Sequence, residues 1–166
     1  MRLFPSTTIK NFDACEHGEF LCFQVRSDVY SGVCIDDSYG NREVLILSAK
    51  DDALRYKLVE MSKSQEVESY GTDWTLSPYG RQPDREALLN EDGGLLLTSP
   101  SVYMVAGKPH GDPSDKLLCR LDAPDVRSFG AWPSGGFGYQ YWRIHVYEKD
   151  IDARQKLAGK DKPEAA

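Results

Sequence analysis

The chain has 166 residues, enough for one main core without disulfide or metal staples. Twenty basic against 26 acidic residues give a formal charge of −6, which sets long-range repulsion against phosphate backbones and anionic membranes. No run of Lys or Arg and no continuous basic helix offsets it, so nucleic-acid binding is not expected.

In residues 1–8 there is no long apolar core of a secretory signal, and no apolar run reaches membrane-spanning length, so no membrane association and a cytoplasmic location are expected. Residues 19–26 form the first predicted strand, with Leu21, Phe23 and Val25 alternating against Phe20, Cys22 and Gln24. Residues 29–36 repeat the pattern with Val33 and Ile35. Ser27-Asp28 and the 37–41 stretch have turn chemistry, so this region reads as an antiparallel meander. Residues 43–48 contain Val44-Leu45-Ile46-Leu47 without alternation, which predicts burial on both faces.

Residues 51–63 fit two templates. Asp51 or Asp52 caps a helix presenting Leu54, Leu58 and Met61, whereas Leu54, Tyr56 and Leu58 also line one face of a strand; the helix is the expectation. Residues 64–82 are polar and broken by Gly71, Pro78 and Gly80, a short strand or irregular excursion pinned by Val67, Tyr70, Trp74 and Leu76. Residues 83–90 read as a short helix started by Pro83 and Asp84 and stopped near Gly93-Gly94.

A second strand-rich half covers Leu95-Leu96-Leu97, Val102-Tyr103-Met104-Val105 and residues 116–122, with Pro100 marking a turn or an edge and 107–114 an exposed loop. The final strand, residues 139–148, is the most informative. Its alternation puts Gln140, Trp142, Ile144 and Val146 on a core face, and Tyr139, Tyr141, Arg143, His145 and Tyr147 on a face suited to contact. Phe129, Trp132 and Phe137 precede it in a glycine-rich loop, so seven of the chain's 18 aromatics lie between Phe129 and Tyr147. Residues 150–158 are expected to form a terminal helix and 159–166 a disordered tail, leaving 1–150 as a single β-rich domain.

The predicted fold is mainly β: a barrel or sandwich of about six to eight largely antiparallel strands with one to three short helices. Its strands fall into two groups around a polar middle.

Other residues have the types but not the spacing of known chemistry. Cys15, His17, Cys22 and Cys34 are zinc-ligand types, yet no Cys-x-x-Cys pair is present and Cys22 and Cys34 sit in apolar strands, so reduced structural cysteines and no metal are expected. The segment 134–138 lacks the glycine spacing and following helix of a nucleotide loop, and no other cofactor motif is found. His110, Asp112 and Asp115 form a polar loop cluster. No Gly-x-Ser-x-Gly elbow accompanies it.

The functional expectation is a binding or regulatory module engaging a protein or small ligand through Trp132, Phe137, Tyr139, Tyr141, Arg143, His145 and Tyr147. Two rivals stand beside it: a small hydrolytic enzyme using His110 or His145 with Asp112 or Asp115, and a structural subunit of a larger assembly.

Overall fold

The structure, a computed structural model, describes residues 7–82, 84–112, 114–128, 133, 135–146 and 155–160. The first half of the chain folds as β1 (Thr8–Asn11), a 3-10 turn (Phe12–Ala14), β2 (Phe20–Val25), β3 (Asp28–Asp36), β4 (Arg42–Ser48), a second 3-10 turn (Asp52–Leu54), β5 (Leu58–Val59) and β6 (Glu66–Ser69). These strands make one antiparallel sheet in the order β1-β6-β2-β3-β4-β5. The β2–β3 turn is tight, with Val25 opposite Asp28 and Arg26 at φ 57°.

Past Gly71 the chain builds the second sheet from β7 (Trp74–Gln82), α1 (Arg85–Leu89), β8 (Leu95–Leu97), β9 (Val102–Gly107), β10 (Lys116–Arg120), β11 (Val126–Ser128), β12 (Phe137–Val146) and β13 (Gln155–Lys160). The order is β11-β10-β9-β8-β12, and β12 is the hub. Its residues 137–139 pair with β8, 142–146 with β13, and almost its whole length with β7.

Two-sided burial dictates the layering. Phe20, Val33, Ile35, Leu45 and Leu47 from the first sheet meet Leu95, Met104, Cys119, Trp142 and Ile144 from the second in the main core. Phe12, Leu21, Cys34, Val44, Ile46 and Val67 form a second cluster on the first sheet, and Leu88 of α1 packs on Leu96, Tyr103, Val105 and Leu118. The result is a sandwich of two antiparallel sheets, not a closed barrel. As the unalternating β4 sequence implies, Val44 and Ile46 serve one cluster while Leu45 and Leu47 serve the other.

Several expectations need correction. Residues 51–63 are not a helix: Asp51 does cap, accepting from Ala53 N at 2.9 Å, but only a 3-10 turn follows. Tyr56 then takes φ 59° and β5 pairs with the edge of β4, which buries Leu58. The terminal helix is likewise replaced where it is described, because residues 155–160 form β13 against β12; Gly159 and Lys160, expected in the tail, belong to that strand. Residues 150–154 and 161–166 lie outside the described residues. Thirteen strands occur among the described residues, more than the alternation signalled, since pieces as short as β5 carry too few residues to show a period. The 64–82 excursion is in fact β6 and β7, and β7 accommodates Pro78 because it pairs with β12 alone.

Candidate functional site

The alternation in β12 sorts its side chains much as the sequence implies. Trp142 and Ile144 are fully buried; the Trp142 indole donates to Gly93 O at 2.7 Å and meets the Tyr56 ring edge-on at 6.0 Å. Gln140 donates to Glu91 at 2.9 Å. With this side anchored, Phe137 and Arg143 are exposed and Tyr141 and His145 half-buried. Tyr139 departs from the expected outward row: half-buried opposite Leu95, it packs against the main core. Trp132 and Tyr147, also expected at the site, lie outside the described residues.

The neighbouring strand completes the surface, and the sequence reading passed over it. In the antiparallel register Arg81 stands opposite Tyr139, Tyr79 opposite Tyr141, and Ser77 opposite Arg143. The Arg81 guanidinium lies 4.5 Å from the Phe137 ring centroid, and that of Arg143 lies 5.2 Å from Tyr79. Tyr79 and Tyr141 pack at 5.7 Å with their planes 32° apart. Gly80 makes this possible: at φ 65° a Cβ there would come within 2.5 Å of the Tyr141 ring. The period-2 spacing of Ser77, Tyr79 and Arg81 was the available signal, hidden by Pro78 and Gly80.

Neither β7 nor β12 contains an Asp or Glu, as is true of eight of the other eleven strands among the described residues. Among the described residues no carboxylate pairs with Arg81, whose guanidinium rests on Phe137 instead. Cation–π contact of this kind holds an arginine in place without using up its hydrogen-bond donors.

The residues of the hydrolytic alternative are not brought together in the described clefts. His110 lines a cleft of about 640 Å³ with Tyr39, Glu43, Leu58 and Lys108, while His145 lies in the ladder between Thr75 and Lys156 and does not line it. Asp112 closes a turn, accepting from Ser114 N at 2.9 Å and Ser114 Oγ at 2.7 Å, contacts that hold its carboxyl below the usual range. Asp115 is exposed and donates its backbone N–H to Asp112 O at 2.8 Å.

The cysteines and His17 have structural surroundings. Cys15 and Cys34 pack in the outer cluster of the first sheet, and Cys22 against the main core. Burial pushes the Cys15 and Cys22 thiols up to about 11 and Cys34 to about 12. All four cysteines are free. His17 Nδ1 accepts from Asp36 N at 2.9 Å, so in that contact the proton of the neutral ring sits on Nε2. Among the described residues no group of three or more His, Cys, Asp or Glu is arranged to hold a metal.

No helix among the described residues is long and apolar enough to cross a membrane. No protein-family model matches the chain, and no curated protein or solved structure matches it.

Proposed function

We propose that this chain is a cytoplasmic binding module that engages its partner through the β7–β12 ribbon. The observation that carries the reading is the ladder of Phe137, Arg81, Tyr79, Tyr141 and Arg143, in which two guanidinium groups rest on aromatic rings at a solvent-facing surface. Aromatic rings give large contact area at low rotamer cost, and arginines already held by those rings lose little further freedom on binding. The four free cysteines accord with a reducing compartment.

The test is a random-peptide selection on the intact chain, followed by binding of the recovered peptides to the Tyr141→Ala and Arg143→Ala variants. Recovered peptides are expected to lose affinity for both variants while the melting temperatures stay close to the parent's. Peptides that bind parent and variants equally would place the binding surface elsewhere.

A further inference from the structure

We propose that the cleft of about 640 Å³ between the two sheets is a separate binding site for a small zwitterion with an apolar side chain, its ammonium held by Glu43 and its carboxylate by Lys108 and His110. One wall comes from the β3–β4 turn, β4 and β5, the other from the β9–β10 loop, β10 and β11. No residue of β7 or β12 lines it, so the site stands apart from the ribbon and fills independently of it.

Glu43 is the residue out of place. Its partner in the β3–β4 ladder is Ile35, a core residue, and the next two positions on its face of β4 are Leu45 and Leu47, also in the main core. The carboxylate at the head of this apolar row is half-buried at the cleft wall, with no hydrogen bond or ion pair among the described residues. The β4–β5 register, Leu45 against Leu58 and Val44 against Val59, carried one residue further sets Glu60 level with Glu43, so two like charges meet across the strands. Burial first, then Glu60 and Asp37, raise the Glu43 carboxyl above its ordinary range, and Lys108 offsets part of the rise. An ammonium set against Glu43 and Glu60 supplies the counter-charge and the donors that this carboxylate lacks.

Cations stand on the other wall. Lys108 and His110 are exposed on the β9–β10 loop, and neither side chain has a hydrogen bond or ion pair among the described residues. An ammonium with three donors and an imidazole with at least one N–H suit a carboxylate. Leu58, Leu117 and Val126 give the cleft its apolar lining; Leu58 is buried, and the other two are half-buried against the main core. A simple cation would leave Lys108 and His110 opposed to it, and a simple anion would meet Glu43 and Glu60. The volume falls within the range of small-molecule sites, about 300–1,000 Å³, and a free apolar amino acid and a short apolar peptide share the required chemistry.

NMR of the intact chain, following the methyl shifts of Leu58, Leu117 and Val126, tests the site. The probes are phenylalanine, N-acetylphenylalanine without the ammonium, phenylalanine amide without the carboxylate, glycine without the side chain, and the dipeptide Phe-Leu. Phenylalanine is expected to shift these methyls saturably, and about ten-fold or more tighter than the N-acetyl, amide and glycine probes. Glu43→Gln and Lys108→Ala should each weaken it about ten-fold, whereas Glu66→Gln, at an exposed position on β6, should leave it unchanged. Glu43→Gln keeps the residue's shape and removes its repulsion from Glu60, so its melting temperature should equal or exceed the parent's.

Equal binding of the N-acetyl or amide probe, binding untouched by Glu43→Gln or Lys108→Ala, a Glu43→Gln variant melting well below the parent, or no saturable shift with either phenylalanine or Phe-Leu would each overturn the site. Tighter binding of Phe-Leu than of phenylalanine, with the same dependence on Glu43 and Lys108, assigns it to a short peptide; the reverse order assigns it to a free amino acid.

Discussion

Replacing Asp92 with alanine should destabilise the fold through the lysines it leaves behind. Asp92 accepts from Lys57 at 2.7 Å and from Lys116 at 2.8 Å, joining the residue just before β5 to β10, and its backbone carbonyl accepts from Lys160 of β13 at 3.0 Å. Lys116 is only 8% exposed, and Lys57 Nζ is packed so closely on the end of β9 that a Cβ at Gly107 would lie 2.5 Å from it. Without Asp92 two ammonium groups face each other with reduced access to water. Breaking a buried pair from one side costs about 3–5 kcal/mol, and with these side chains up to a fifth exposed, screening reduces that to about 2–4 kcal/mol. For a chain of this length the loss corresponds to about 5–15 °C in melting temperature. Thermal unfolding followed by circular dichroism measures it. Lys116→Met, which replaces a shielded cation with an apolar chain of similar shape, should cost much less, and adding it to Asp92→Ala should recover part of the loss. If Asp92→Ala stays within about 0.5 kcal/mol of the parent, or the double variant recovers nothing, the charge hub does not hold the sheets together.

Other perturbations address single features. Gly80→Ala should cost about 1–2 kcal/mol in denaturant unfolding and shift the Tyr79 and Tyr141 ring resonances, because it strains a left-handed backbone and displaces a ring. Trp142→Phe removes the donor to buried Gly93 O and leaves space, a loss of about 2–3 kcal/mol by the same assay. His17 titrates below its ordinary value because burial disfavours the cation, so between that lowered value and about 6.5 the unfolded chain binds the extra proton. Its contribution is therefore full above about pH 6.5 and is lost as pH falls; His17→Gln should flatten the melting-temperature profile on that acid side. Thiol titration at pH 8 should be slow in the native protein and reach four groups on unfolding, as burial raises the pKa of every cysteine.

What could be read from the sequence divides along a physical line. The two-sided burial of Val44 to Leu47 and the Trp142–Ile144 core face follow from period and composition within one segment, and Asp84 marks the start of α1 by accepting from Glu86 N and Ala87 N. Elements defined by a distant partner escaped. Leu58-Val59 and residues 155–160 are strands because β4 and β12 offer them an edge; the local pattern at Leu58 fitted helix and strand alike, and that of 155–160 announced no strand. The same holds at the candidate surface, where β12 was visible but its register with β7 was not, so Arg81 and Tyr79 were missed. Tyr139 turned inward for a related reason: its cross-strand partner is Leu95, a fully buried residue on the core side of β8.

Because β12 closes the second sheet, the order of synthesis matters. β7 is complete at Gln82, yet its pairing partner begins at Phe137. At about 5–20 residues per second, β7 leaves the ribosome roughly 3–11 s ahead of that partner. During this interval Trp74 and Leu76 have no β12 to cover, and the gap Trp142 will fill is open. A ribosome stalled anywhere between the two strands would release a chain with its first sheet encoded in full and its second unable to close, a ready substrate for chaperones and proteases.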